Sequence, residues 1–237
     1  MVRPTVSDAE LARFDALAGE WWDARGPMRA LHAMNPVRIG WMCERVARAF
    51  PDRAGLRWLD VGCGAGIAAE ALARRGFTVL GIDAAAATIG AAWAHAEGYR
   101  LPLEYRVATV EDLINEGRRF PVVTALEVIE HVPDPAAFLR ALSAALEPGG
   151  LLFVSTLNRT ARSFLAAKIG AEYLLRWLPV GTHSWDRFIT PTELGESLRA
   201  AGLRPTDLTG LAPMPLGGGW RITRDPGVNY LIAAQAA

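Results

Sequence analysis

A chain of 237 residues with 51% apolar side chains is long and apolar enough to bury a substantial core, which excludes a disordered segment. Acidic and basic residues balance at a formal net charge of zero, so no global field draws the chain to nucleic acid or to an anionic membrane, and any such contact must be local. Two cysteines, Cys43 and Cys63, do not make a disulfide framework, residues Met1 to Glu10 carry no apolar leader-like run, and no apolar run is long enough to span a bilayer. The expected compartment is therefore reducing and cytoplasmic.

Ser7 with Glu10 reads as a capping box that opens a helix through Leu11, Phe14, Leu17 and Trp21-Trp22. Asn35-Pro36 starts a second helix, with Ile39, Met42, Cys43, Val46 and Phe50 at helical spacing. Alternation follows. Leu56–Val61 reads as a strand, Ala65–Arg75 as a helix, Thr78–Ile82 as a strand and Thr88–Glu97 as a helix. Leu103–Val107 and Val122–Val128 read as strands. Asp134–Leu146 is a helix with an Asp N-cap and Pro135 in its first turn, and Pro148-Gly149-Gly150 turns the chain into the strand Leu151–Ser155. Apolar strands between helices predict a doubly wound, mostly parallel α/β sheet of Rossmann-like type, covered on both faces. Arg159–Leu178 reads as a further helical segment. Thr190-Pro191-Thr192-Glu193 caps a helix to Ala201, and Leu203–Leu211 with Val228–Ala234 form an antiparallel pair expected at the sheet edge. A single domain over 1–237 is expected: a helical cap (1–54), a cofactor-binding core (55–158), an inserted amphipathic segment (159–189) and the C-terminal part of the sheet (190–237).

The strongest local signal is Asp60-Val61-Gly62-Cys63-Gly64-Ala65-Gly66 between the first core strand and its helix. Glycines there permit a sharp turn and close approach of a ligand, and the following helix directs free N–H groups toward it. Asp83 ends the second strand about 20 residues on, where a carboxylate takes ribose hydroxyls. Ile67 stands at the third-glycine position of a dinucleotide loop, and Asp60 repels a pyrophosphate but suits a sulfonium and an amino group. Spacing and charge favour S-adenosylmethionine over NAD. The rival reading is a tight βα turn with Asp83 as an ordinary cap.

Glu127, Glu130 and His131 follow the fourth core strand. On a helical turn they would share one face at i, i+3 and i+4, able to hold a divalent cation or to supply a general base. They would equally serve to brace the turn before Pro133. A phenol, with a pKa near 10, is a poor nucleophile at neutral pH, so either chemistry would help methyl transfer to oxygen.

The segments Trp21-Trp22-Asp23, Asn35-Pro36-x-Arg38, Leu59-Asp60-Val61-Gly62-Cys63-Gly64, Glu127-x-x-Glu130-His131-Val132-Pro133, Ser155-Thr156-Leu157-Asn158-Arg159, Gly170-Ala171-Glu172-Tyr173, Gly181-Thr182-His183 and Val228-Asn229-Tyr230 resemble the bacterial ubiquinone-biosynthesis O-methyltransferases and their mitochondrial counterpart. The resemblance runs nearly end to end. It implies methylation of 2-polyprenyl-6-hydroxyphenol and 3-demethylubiquinol, a polyprenylated phenol and quinol, and partnership with a ubiquinone-biosynthesis complex. It implies cofactor contacts at Arg38, Gly62, Asp83 and Leu126, to which the expected set adds Asp60, Gly64 and Asp112. It also implies a Mg2+ site at Glu127, Glu130 and His131, the same residues expected to be catalytic. Pro121 and the run Ala84 to Ala87 depart from the family pattern.

Arg159, Arg162, Lys168 and Arg176 interleave with Phe164, Leu165, Tyr173 and Trp177. Such a helix either docks on anionic lipid, here at the inner face of the cell membrane, or packs as an ordinary lid. Trp21 and Trp22 either close over the site or pack their helix down. His183 is a second candidate base. Rival functions are a NAD-dependent oxidoreductase, a silent cofactor-binding subunit, and a C- or N-methylating relative. Nucleic-acid substrates are not expected.

Overall fold

The computed structural model describes residues 12, 15, 17–52, 54–164, 187–214 and 219–237. The expected helix from Ser7, Phe14, the segment 165–178 and His183 lie outside the described residues. The N-terminal chain enters through a single 3-10 turn, Ala18–Glu20. Helix α1 spans Arg29–Ala49 and carries Pro36 in its interior. The helix therefore begins earlier than a proline-led start predicts, and runs through a residue with no N–H to give to the preceding turn.

The core then alternates: β1 (Arg57–Val61), α2 (Ile67–Ala73), β2 (Thr78–Asp83), α3 (Ala86–Ala96), β3 (Leu103–Val107), α4 (Val110–Asn115), β4 (Phe120–Leu126), α5 (Pro135–Ala144) and β5 (Leu146–Leu157). After one helical turn at Ala161–Ser163 come α6 (Pro191–Ala200), β6 (Leu203–Pro213), β7 (Trp220–Thr223) and β8 (Asn229–Ala236). One sheet runs in the order β3-β2-β1-β4-β5-β8-β6-β7. Its first five strands are parallel, and β8 is antiparallel to both β5 and β6. The expected antiparallel pair of late strands is present. It is not the edge, because β8 inserts beside β5 and the short strand β7 closes that side. Pro121 falls at a register shift between β4 and β5, where a strand tolerates a residue without a ladder donor.

Side-chain alternation assigns each strand residue to one of two buried cores. One face, with Trp58, Val79, Val122, Phe153 and Leu231, packs against α1, α2 and α3 through Ile39, Met42, Leu72 and Ile89. The other, with Leu59, Val123, Val154 and Tyr230, packs against α4, α5 and α6 through Leu113, Phe138, Leu142 and Leu198. By the same alternation Asp60, Thr124, Ser155 and Asn229 face the α1 side, and Thr156 the opposite one.

Candidate active site

The carboxyl ends of β1, β2 and β4 meet beside the N-terminal half of α1. Gly62, Gly64 and Gly66 all take positive φ, at 67°, 55° and 89°. A Cβ would lie 2.5 Å from Val128 at Gly62, 2.3 Å from the Trp21 ring at Gly64, and 1.9 Å from the Tyr105 hydroxyl at Gly66. The loop is glycine-rich for two reasons: left-handed backbone, and neighbours that touch it on three sides.

Asp83 is folded onto this loop. Its Oδ2 accepts the Gly64 N–H at 3.0 Å and its Oδ1 accepts the Ala85 N–H at 2.9 Å. Burial raises its pKa above the usual carboxylate value despite those bonds. The alanines that follow cannot cap α3, whose N-cap Ala85 offers no side-chain bond. Asp15 does so from the N-terminal segment, its Oδ1 accepting the Ala87 N–H at 3.0 Å.

Asp60 is 2% exposed. The Thr124 hydroxyl donates to its Oδ1 at 2.8 Å, while Oδ2 is buried with no partner. Burial pushes its pKa up to about 6. Arg38, on α1, is also buried, which lowers its pKa, and it feels the opposing charges of Glu127 and Asp60. Its Nε donates to Asn35 Oδ1 at 3.0 Å, and Asn35 Nδ2 donates in turn to the Ile67 carbonyl at 2.8 Å. An unpartnered carboxylate oxygen and a buried guanidinium thus lie within electrostatic range of each other. This pair matches the ammonium and carboxylate of an amino-acid ligand.

Glu127 is the one non-glycine residue with positive φ among those described, at 58°. The chain therefore leaves β4 in a turn, followed by a 3-10 turn at Ile129–His131. Glu127, Glu130 and His131 consequently do not share a helix face. The Ser155 hydroxyl donates to Glu127 Oε1 at 2.6 Å, and Asn229 Nδ2 donates to its Oε2 at 2.9 Å. The Thr156 hydroxyl donates to Glu130 Oε2 at 2.9 Å. Ser155 and Thr156 are consecutive on β5, so their hydroxyls leave opposite faces and hold the two carboxylates on opposite sides of the strand end. Burial, and then the charge of Glu127, push the Glu130 pKa up to about 7. Among the described residues no three His, Cys, Asp or Glu side chains are gathered to hold a metal. The expected magnesium ligands do not form a set in this geometry, and no step is derived through a metal.

Asp112 is also corrected. Its carboxylate accepts the Thr109 N–H at 2.8 Å and the Thr109 hydroxyl at 2.9 Å, closing an exposed capping box on α4. It is committed to the helix start rather than to a cofactor. Leu126 is 9% exposed, with its side chain in the core on the α1 side, consistent with a backbone role. Ser155, Thr156 and Asn229 are the functional neighbours that residue-type reasoning missed, because hydroxyls and amides on strands carry no spacing signature.

A shallow groove of about 460 Å³ between α1 and β6, lined by Pro36, Trp41, Arg45, Asp207 and Thr209, contains none of these residues. The Arg45–Asp207 ion pair at 2.5 Å lies on it.

A mostly parallel sheet, a three-glycine loop, an acid before that loop and another after β2 define a Rossmann-like, class I S-adenosylmethionine-dependent methyltransferase. A family model described as a methyltransferase domain matches residues 36–208. The ubiquinone biosynthesis O-methyltransferase of Methylobacterium nodulans is 50% identical, covering 98% of this chain and 96% of that protein. The chain belongs to the ubiquinone biosynthesis O-methyltransferase family. Among solved structures, an S-adenosylmethionine-dependent methyltransferase from Clostridium acetobutylicum superposes with a TM-score of 0.62 at 12% identity, covering 84% of this chain and 90% of that one. Magnesium protoporphyrin IX methyltransferase from Synechocystis PCC 6803 with bound SAH gives 0.57 at 17% identity, covering 84% and 80%. These two show the fold. S-adenosylmethionine is the cofactor. Among the described residues no helix is long and apolar enough to cross a membrane.

Proposed function

We propose that this enzyme methylates a phenolic hydroxyl of the catechol and hydroquinol intermediates of ubiquinone biosynthesis, including 2-polyprenyl-6-hydroxyphenol and 3-demethylubiquinol. The observation that carries the reading is the buried, unpartnered Oδ2 of Asp60 beside the buried Arg38. Arg38 would take the carboxylate of the cofactor's methionine part, Asp60 its ammonium, and Asp83 its ribose. Gly62, Gly64 and Leu126 would offer backbone. When bound, the cofactor supplies a methyl carbon on a cationic sulfur; that carbon passes to the phenolic oxygen as its bond to sulfur breaks.

Glu127 stands nearest this compartment, fixed through both oxygens by Ser155 and Asn229. It would accept the phenolic proton. Glu130, on the far side of β5, would tune Glu127 through its charge, and His131 would complete the turn. The test is a labelled-methyl assay on short-tailed catechols, with and without magnesium and chelator. Methylation at the ring oxygen supports the reading, and binding of cofactor without turnover on any catechol overturns it. Turnover lost to chelator would restore a metal to Glu127 and Glu130 in the substrate complex.

Membrane docking through residues 159–178 rests on the amphipathic pattern and a lipid-soluble substrate. Two of its cations are already engaged: Arg159 pairs with Glu193, and Arg162 with Asp225 at 2.7 Å. Docking therefore falls to the apolar residues. Liposome co-sedimentation that persists after Phe164, Leu165 and Trp177 are made polar would overturn it. No co-sedimentation by the unaltered protein would overturn it as well.

A further inference from the structure

The two adjacent tryptophans of the N-terminal segment are held by different means. The Trp21 ring lies against Gly64, and the Trp21 carbonyl accepts from His32 Nε2 at 2.7 Å. The Trp22 indole N–H donates to the Ala65 carbonyl at 2.9 Å, inside the glycine loop. Its ring stacks on His95 of α3 with centroids 3.3 Å apart and planes 4° from parallel. His95 Nδ1 donates in turn to Glu70 Oε1 at 2.6 Å, and Glu70 is a buried residue of α2. A carboxylate accepts only, so this bond fixes the imidazole tautomer and the plane of the ring. With Asp15 capping α3, the segment is fastened to three parts of the loop's surround: the loop itself, α2 through Glu70 and His95, and the start of α3. Packing alone would need none of these polar fastenings at a loop that must receive a ligand.

We propose that Trp22 and His95 form a latch that seats Trp21 over the glycine loop, and that both act as positioning residues for the bound cofactor. The proposal rests on the cofactor site described above. The latch joins the loop that carries the cofactor's methionine end to α3, the helix that follows the ribose-binding Asp83. A ligand lying between those two places would be held under the Trp21 ring. Release of product cofactor would then require the stack to part. An aromatic pair contributes roughly 0.5–1.5 kcal/mol beyond its buried area, or about a two- to tenfold change in affinity.

The test measures adenosylhomocysteine binding by calorimetry, and steady-state methyl transfer, for His95→Ala and His95→Phe. His95→Ala is expected to raise the adenosylhomocysteine Kd roughly three- to tenfold, with kcat at saturating cofactor and the catechol KM within about twofold. His95→Phe restores a ring without the carboxylate bond and is expected to recover most of the lost affinity. Unchanged Kd in His95→Ala, or a Phe variant as weak as the Ala variant, overturns the stacking latch. Should either variant fold poorly, the unaltered enzyme gives an independent reading. Backbone amides at 17–26 should exchange with deuterium several-fold more slowly when adenosylhomocysteine is bound, and equal exchange in both states overturns the proposal. Failure of the unaltered enzyme to bind adenosylhomocysteine would instead remove the cofactor site itself.

Discussion

The hydroxyl of Thr124 donates to Asp60 Oδ1 at 2.8 Å and leaves the other oxygen of that carboxylate buried and unmatched. A buried charge satisfied on one side costs the empty fold stability and is relieved by a cation. Asp60 has its folded pKa raised from 3.8 to about 6. The native state therefore holds the proton more tightly than the unfolded chain. That contribution to stability is full below pH 4 and is lost as pH rises through 6, by an amount on the order of 3 kcal/mol.

Asp60→Asn removes that loss. The thermal stability of the ligand-free protein is expected to fall less between pH 4 and pH 6.5 than in the unaltered chain. The same substitution deletes the ammonium partner, so cofactor affinity should drop roughly ten- to hundredfold, the value of a hydrogen bond to a charged group. Differential scanning across pH and calorimetric titration read the two effects separately. Parallel pH profiles would show that the Asp60 charge is balanced elsewhere.

Gly64→Ala should do more damage than an alanine at another left-handed glycine. At Gly64 the new Cβ meets the Trp21 ring at 2.3 Å with φ at 55°, whereas at Gly76, with φ at 88°, nothing lies within 4 Å. Gly76→Ala measures left-handed strain alone, about 1–2 kcal/mol. Gly64→Ala adds displacement of Trp21, and is expected to lower the melting temperature further and weaken cofactor binding at least tenfold. Equal effects of the two substitutions on adenosylhomocysteine affinity would show that the contact is immaterial.

The parallel core was legible because its strands are apolar on both faces and its helices begin with recognisable caps. The acid-glycine loop was legible because few ligands tolerate Asp60 beside it. Helix α4 escaped notice because it is only Val110–Asn115, opened by Thr109 and Asp112, an acid read as a ligand that instead closes the cap. Strand β7, four residues long, follows a glycine run and carries no alternation to read. The start of α1 was displaced by Pro36, since proline marks a first turn more often than an interior. His95 and His32 gave no signal, because a lone histidine acquires its role from a partner far away in sequence. The helical spacing of Glu127, Glu130 and His131 failed for a local reason, the positive φ at Glu127.

Glu127 depends on two donors for its orientation. Ser155→Ala removes the 2.6 Å bond to Oε1, and Asn229→Ala the 2.9 Å bond to Oε2. Each single substitution is expected to lower kcat about tenfold while leaving cofactor Kd within twofold, because a mis-aimed base loses rate rather than binding. Glu127→Gln should cost roughly a hundredfold or more. If the Gln variant turns over normally, the proton leaves by another route.

Glu130→Gln separates a catalytic from a structural reading of the second acid. Glu130 sits on the far side of β5 from Asp60 and Arg38, so its loss should leave cofactor affinity near normal. Its pKa is raised from 4.5 to about 7, first by burial and then by the charge of Glu127. Its proton therefore favours the folded state at low pH, and that favour fades as pH rises from about 4.5 to 7. The Gln variant keeps an oxygen for the Thr156 hydroxyl and carries no charge, so its stability should decline less across that window. If Glu130 tunes the base, the variant should lose most of its turnover near pH 7, and its rate should follow a shifted pH profile. A collapse of cofactor binding would instead mean that the acid holds the turn after β4 in place, and that Asp60 and Arg38 are aligned only when the turn is intact.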